Sequence, residues 1–209
     1  FHVFTHAWFK ACLFLGSGSV IHALSGEQEM TAMGGLRSKI PHTFRTMFIA
    51  TLAIAGVPGL AGFFSKDLIL GETFIQGHPY LWALAALTAG LTAFYMFRLV
   101  KMTFYGEYRG PKETWEHAHE SPATMTIPLY VLAAGAVVVG YLGIPNFILP
   151  GGNRFEAFLE PAFPALPPGW APHPHEVSHA LEYGLMFGSI AIAGLGILLA
   201  TTFFYKGSA

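Results

Sequence analysis

The sequence predicts an all-α membrane protein: a polytopic bundle of about five transmembrane spans, one of them broken. Three observations carry that prediction: charge is scarce, the apolar stretches are long, and one of them is interrupted by a Gly-Val-Pro-Gly run. Only 11% of the 209 residues are charged and 53% are hydrophobic, with a mean hydropathy of +0.50. Soluble domains carry about 25% charged residues. The deficit is concentrated in stretches longer than the roughly 20 residues that cross a hydrocarbon core about 30 Å thick. Net charge is −1 and the 11 Lys and Arg are scattered, so no basic field exists to recruit nucleic acid. The lipid bilayer is the partner this composition implies. The single cysteine, Cys12, excludes an internal disulfide and reads as a small core thiol.

The first span covers residues 1–24. Its helical pattern is already running at Phe1-His2-Val3-Phe4, with no initiator Met, basic n-region or cleavage site. At the other end, Phe203 to Ala209 stop where a hydrophobic span meets water. The expectation is a piece of a longer protein. The second stretch, residues 44–76, is too long for one straight crossing: at 1.5 Å per residue it would reach about 50 Å. It contains Gly56-Val57-Pro58-Gly59-Leu60-Ala61-Gly62, and is therefore expected to be broken or sharply kinked. The third span is 80–105. A loop over 106–122 leads to a fourth span at 123–149, a Pro-rich loop follows over 150–178, and the fifth span is 180–205.

Orientation follows from the basic residues. With alternating spans, Arg37, Lys39, Arg45, Arg98, Lys101, Arg109, Lys112 and Lys206 border one side, and only Arg154 borders the other. The positive-inside rule places the first set, and with it the 106–122 loop, in the cytoplasm, and the Pro-rich loop outside. The two basic residues left over, Lys10 and Lys66, fall within spans.

These residues carry the chemistry. His2, His6 and Lys10 recur every four residues, so on a helix they form one stripe about 12 Å long. Lys10 is too deep to snorkel to either surface and must face protein or water. A charge at such depth costs at least about 2.5–3.5 kcal/mol and is rare unless it lines an ion or proton path. A purely structural polar contact is the alternative, and three ionisable groups on one stripe favour the path. The run from Gly56 to Asp67 is the second constellation. Pro58 lacks an N–H and blocks the carbonyl of Ile54, while Gly56, Gly59 and Gly62 let the backbone unwind. Freed backbone groups at membrane depth mark ion or substrate sites in transporters, and Lys66 and Asp67 stand as a titratable pair beside them. The other reading is a simple helix end at which Ser65-Lys66-Asp67 meets water, and both stay open. A buried Lys and a His are suited to exchanging protons near neutrality.

Other polar groups are weaker candidates. His117-Ala118-His119 and His173-Pro174-His175 have a spacing found in metal sites, but no cysteine or compact carboxylate set completes four ligands, so solvated loops are expected. His22 and Glu72 fall near span ends, and His179 with Glu182 reads as an interfacial cap. Tyr80, Trp82, Tyr105 and Tyr205 read as interfacial anchors.

Taken in order, Phe1-His2-Val3-Phe4-Thr5-His6-Ala7-Trp8-Phe9-Lys10, Gly34-Gly35-Leu36, Gly59-Leu60-Ala61-Gly62-Phe63-Phe64-Ser65-Lys66-Asp67, Phe104-Tyr105-Gly106-Glu107 and Glu120-Ser121-Pro122 resemble the antiporter-like, proton-pumping membrane subunits of respiratory complex I, the NADH-quinone oxidoreductase. The resemblance runs from end to end, and Lys66 followed by Asp67 favours the subunit L group, with its mitochondrial subunit 5 relatives, over the paralogous subunits M and N. It implies a core of two inverted five-helix repeats, each with one broken helix, of which residues 1–105 are the end of the second. It implies that His2 and His6 bridge toward a central polar axis, that Lys10 is a lysine of that axis, and that Lys66 beside Asp67 belongs to the terminal exit route. It also implies a chain without its own cofactor, with NADH, FMN, iron-sulfur clusters and quinone bound by partner subunits. Subunit M is the expected neighbour, in a bacterial inner membrane. No dinucleotide or iron-sulfur motif is present in the sequence. Two alternatives remain: a subunit of a multi-subunit cation/proton antiporter or membrane-bound hydrogenase, and a scaffold whose buried charges only hold helices together.

Overall fold

The computed structural model describes residues 1–162 and 178–205, with Tyr205 described by its backbone alone. The first helix, α1 (His2–Ala23), is followed by α2 (Pro41–Ala55), α3 (Ala61–Ile75) and α4 (Pro79–Phe104). A short α5 (Lys112–His117) precedes α6 (Ala123–Val138), which continues as a 3₁₀ segment over Val139–Gly143. A short α7 (Arg154–Leu159) and the long α8 (His179–Tyr205) complete the described helices. Pro41 and Pro79 stand at the first turns of α2 and α4, where a missing N–H costs nothing and the fixed φ suits the helix.

Among the described residues, three helices are long and apolar enough to cross a membrane: α4, α6 with its 3₁₀ extension, and α8. The 22 residues of α1 are long enough at about 33 Å, but include His2, His6 and Lys10. Neither α2 nor α3, at 15 residues each or about 22 Å, spans alone. The expected long second span is thus two half-helices separated by residues 56–60. The cause lies in the local sequence. Gly56 adopts the left-handed conformation at φ +84°. Its N–H bonds the carbonyl of Ala53 and that of Val57 bonds Leu52, a Schellman cap that ends α2 before Pro58 would clash with its last turn.

The fourth span departs from its expected end at 149. Its helical geometry stops at Gly143, and Ile144 is extended, because Pro145 disfavours a helical residue before it. The segment narrows to 3₁₀ where Gly140 lies against Ala61, so closely that a Cβ would meet the Ala61 Cα at 2.6 Å. In the Pro-rich loop, α7 is capped by the Asn153 side chain, which accepts from the N–H of Glu156. Residues 163–177, with Pro164, Pro167, Pro168, Pro172, Pro174, His173 and His175, lie outside the described residues.

Helices α1, α2 and α6 pack around Phe9, Cys12, Leu13, Met47 and Leu129, and α8 packs along α4 through Ala93, Phe97, Ala193 and Ala200. Lipid gives helices no hydrophobic reason to associate, so close packing must hold them, and the α4–α8 seam achieves it through the small residues Ala93, Ala193 and Ala200. At the basic end of the bundle, Arg109 donates to the carbonyls of Met30, Thr31 and Met102 and pins the two connecting loops together. There Glu120 also caps α2 from another segment: its carboxylate accepts from the N–H groups of His42 and Thr43 and from the Thr43 hydroxyl at 2.6 Å.

Candidate functional site

The break positions the polar side chains. Helix α3 restarts at Ala61 beside α1 and α2, and Gly62 makes the approach to α2 possible, since a Cβ there would collide with the carbonyl oxygen of Ala53. One turn on, the Ser65 hydroxyl lies 2.9 Å from His2 Nδ1 and 2.7 Å from Thr5 Oγ1, and donates to the Ala61 carbonyl at 3.1 Å. With its proton committed to Ala61, Ser65 accepts from Thr5 and, in the Nδ1–H tautomer, from His2. The His6 ring stands 5.8 Å from that of His2 and 5.3 Å from that of Phe9. One ionisable group of α1, His2, and one hydroxyl, Thr5, are therefore bonded to α3 immediately beyond the break.

Lys66 turns back across the gap. Its Nζ donates to the carbonyl of Ala55 at 3.0 Å, one of the open carbonyls at the end of α2. The bare face of Gly56 makes room, because a Cβ there would come within 2.9 Å of both Cε and Nζ of Lys66. A cation at the negative end of a helix is also favoured by the macrodipole.

Asp67 faces the other way. Adjacent helical residues diverge by about 100°, and the Asp67 carboxylate accepts from Ser189 Oγ of α8 at 2.8 Å, while its second oxygen is buried with no partner among the described residues. Lys66 and Asp67 thus bond different neighbours: no ion pair joins them, and the one ion pair among the described residues is His179–Glu182 at 2.9 Å. Asp67 lines a cavity of about 230 Å³ between α3, α7 and α8, together with Glu72, Glu156, Glu182 and Asn146.

The His2, His6 and Lys10 stripe divides. His2 enters the Ser65 cluster, whereas Lys10 lies beside Phe14, its Nζ 5.2 Å from the ring centroid. Among the described residues no acceptor meets that ammonium. Pro58 and Gly59 lie in the non-helical gap, Gly59 with φ +87°. Thr5 and Ser189 are site residues that no sequence pattern singles out, Ser65 takes part through its hydroxyl, and Glu182, expected as an interfacial cap, also faces the cavity. No group of three or more His, Cys, Asp or Glu among the described residues is arranged to hold a metal. Cys12 is buried, its thiol 3.6 Å from the Thr46 carbonyl.

Residues 1–92 match the family model described as NADH:quinone oxidoreductase/Mrp antiporter, TM. The chain is 42% identical over 240 residues to an NAD(P)H-quinone oxidoreductase chain 5 from Picosynechococcus sp., covering 99% of this chain and 33% of the relative. It is 46% identical over 170 residues to an NADH-quinone oxidoreductase subunit L from Rhodobacter capsulatus, covering 76% and 24%. A subunit L from Mycobacterium tuberculosis is 45% identical over 196 residues, covering 92% and 30%. The chain spans about a third of the length of the curated relatives it matches, or less. With a helix break bordered by buried polar groups, an all-helical fold with membrane-length helices, and similarity to subunit L and chain 5 relatives along most of its length, the chain belongs to the NADH:quinone oxidoreductase/Mrp antiporter family of multi-pass membrane proteins.

Proposed function

We propose that the chain is part of a proton-translocating subunit of NADH-quinone oxidoreductase, in which electron transfer in partner subunits drives protons through buried Lys and His groups. The observation that carries this reading is the joint at the break: His2 and Thr5 of α1 meet Ser65 of α3, one residue from Lys66, which holds Ala55 across the gap. Such a joint offers exchangeable protons on two helices and a backbone free to rearrange between them. The relay consists of Lys10, His6, His2, Lys66 and Asp67, with Ser65 and Thr5 as its hydroxyl bridge. Lys10 and His6 approach it along α1, and Asp67 leads away through the cavity. The subunit holds no redox centre; NADH, FMN, iron-sulfur clusters and quinone belong to its partners. Subunit M is its neighbour in a bacterial inner membrane. A cation/proton antiporter subunit would use the same joint, but the relatives named above are quinone oxidoreductase subunits.

Lys10→Met and Lys66→Met, each made in the full-length subunit and assayed in inside-out vesicles, test the reading. The expected result is assembled complex with lower quinone reductase activity and weaker proton pumping. Normal turnover and proton-to-electron stoichiometry in both variants would overturn it, and lower assembly with normal pumping per complex would favour the scaffold instead.

A further inference from the structure

The hydroxyl of Ser189 has one proton and two acceptors within reach. It lies 2.8 Å from Oδ1 of Asp67 and 3.0 Å from the carbonyl oxygen of Met186, one turn back on α8. A hydroxyl donates once, so its direction depends on the charge at Asp67. An ionised carboxylate draws the proton more strongly than a neutral carbonyl does. Once Asp67 is protonated that advantage is lost, and the Ser189 proton turns to Met186.

Two further observations separate this contact from ordinary packing. Ser189 is the hydrogen-bond donor that the described residues give to the Asp67 carboxyl, whose Oδ2 is buried without a partner. Beyond Asp67 the cavity of about 230 Å³ has room for several waters at roughly 30 Å³ each, and its wall carries Glu72, Glu156 and Glu182.

We propose that Ser189 is the positioning residue of Asp67, a hydroxyl on α8 that aims the carboxyl at the acidic cavity and sets the pH at which Asp67 passes its proton on. The inference rests on the reading of Asp67 as a proton carrier. In the release step the proton leaves the Asp67 carboxyl for water in the cavity that Asp67 lines, the carboxyl becomes an anion, and the Ser189 O–H swings from Met186 to Oδ1. Uptake reverses each movement. The charged and titratable groups around Asp67 are Lys66 and Glu72 on its own helix, Glu156 of α7, Glu182 of α8, and His2 of α1 at Ser65. Helix α4 also packs on α3, but Tyr80, Tyr95, Arg98 and Lys101 of α4 do not line the cavity.

The test compares Ser189→Ala, Ser189→Thr and Asp67→Asn in the full-length subunit, assembled in its complex in inside-out vesicles, with proton pumping per assembled complex followed against pH. Loss of a donor to the ionised carboxyl favours the protonated form. The acid limb of the Ser189→Ala profile should therefore move up by about one pH unit, while Ser189→Thr, which keeps the hydroxyl, should follow the parent. An unmoved acid limb in Ser189→Ala, with or without poorer assembly, overturns the inference. If Asp67→Asn pumps weakly while Ser189→Ala keeps the parent profile, only the role of Ser189 fails. If Asp67→Asn pumps normally, the reading of Asp67 as a carrier fails and the inference falls with it.

Discussion

The ammonium of Lys66 donates to the carbonyl oxygen of Ala55 at 3.0 Å, so a side chain from one half of the broken span closes the open end of the other. The Schellman turn at Gly56 satisfies the carbonyls of Leu52 and Ala53, and Lys66 completes the cap with a charged donor. Such a bond contributes about 1.5–3 kcal/mol. Lys66→Met should therefore lower the thermal stability of the subunit as well as its pumping, and Lys66→Arg, which retains a charged donor, should recover more of the stability than of the pumping. Thermal unfolding of the purified complex and vesicle pumping assays on the same preparations check both.

Ser65→Ala should uncouple α1 from α3. The substitution leaves Thr5 with only the carbonyl of His2, and His2 Nδ1 with no partner at the joint. Leaving the half-buried His2 donor unpaired costs up to about 1–3 kcal/mol. Pumping should fall by a larger factor than the amount of assembled complex, as measured by vesicle acidification and by native gels.

Two glycines of α3 should respond in opposite directions to alanine. At Gly62 the added methyl collides with the carbonyl of Ala53, a backbone atom that cannot step aside, whereas at Gly71 nothing lies within 4 Å. Gly62→Ala should cost upwards of about 1–3 kcal/mol through overpacking, with loss of assembled subunit. Gly71→Ala should be neutral or stabilising by up to about 1 kcal/mol, the helix-propensity difference. Unfolding midpoints of the two variants side by side provide the check.

Glu120→Ala should act on stability alone. Glu120 caps α2 through the N–H groups of His42 and Thr43 and the Thr43 hydroxyl, which in turn bonds Ser19 and through it Ser121. Removing an N-cap costs about 0.5–2 kcal/mol. A lower unfolding midpoint with unchanged pumping per assembled complex is expected, and a matching loss of pumping would assign Glu120 to the relay.

What the sequence disclosed follows the range of the interactions involved. The break was legible because Gly56 and Pro58 act on their own backbone, and the ionisable stripe because a charge at membrane depth is conspicuous by itself. The partner of each charge was not. Ser189 is 122 residues from Asp67, and a serine in an apolar helix usually bonds the carbonyl one turn back, as Ser17 does with Leu13. Adjacency suggested a Lys66–Asp67 pair, but helical geometry sends the two side chains to different neighbours. The early end of the fourth span at Gly143 had a local signal in Pro145, while the narrowing at Gly140 depends on α3 and had none.

Nine residues separate Lys66 from Ile75 at the end of α3, a rise of about 13.5 Å, close to half of a hydrocarbon core about 30 Å thick. A charge at that depth stands inside the electric field of an energised membrane. Carrying one elementary charge across the whole potential involves about 2.3 kcal/mol per 100 mV, and half the crossing involves about half of that. The bond from Lys66 to Ala55 is of similar size. Bringing the Lys66 charge to this depth from the nearer surface of an energised membrane thus involves electrical work of the same order as the bond that holds it there.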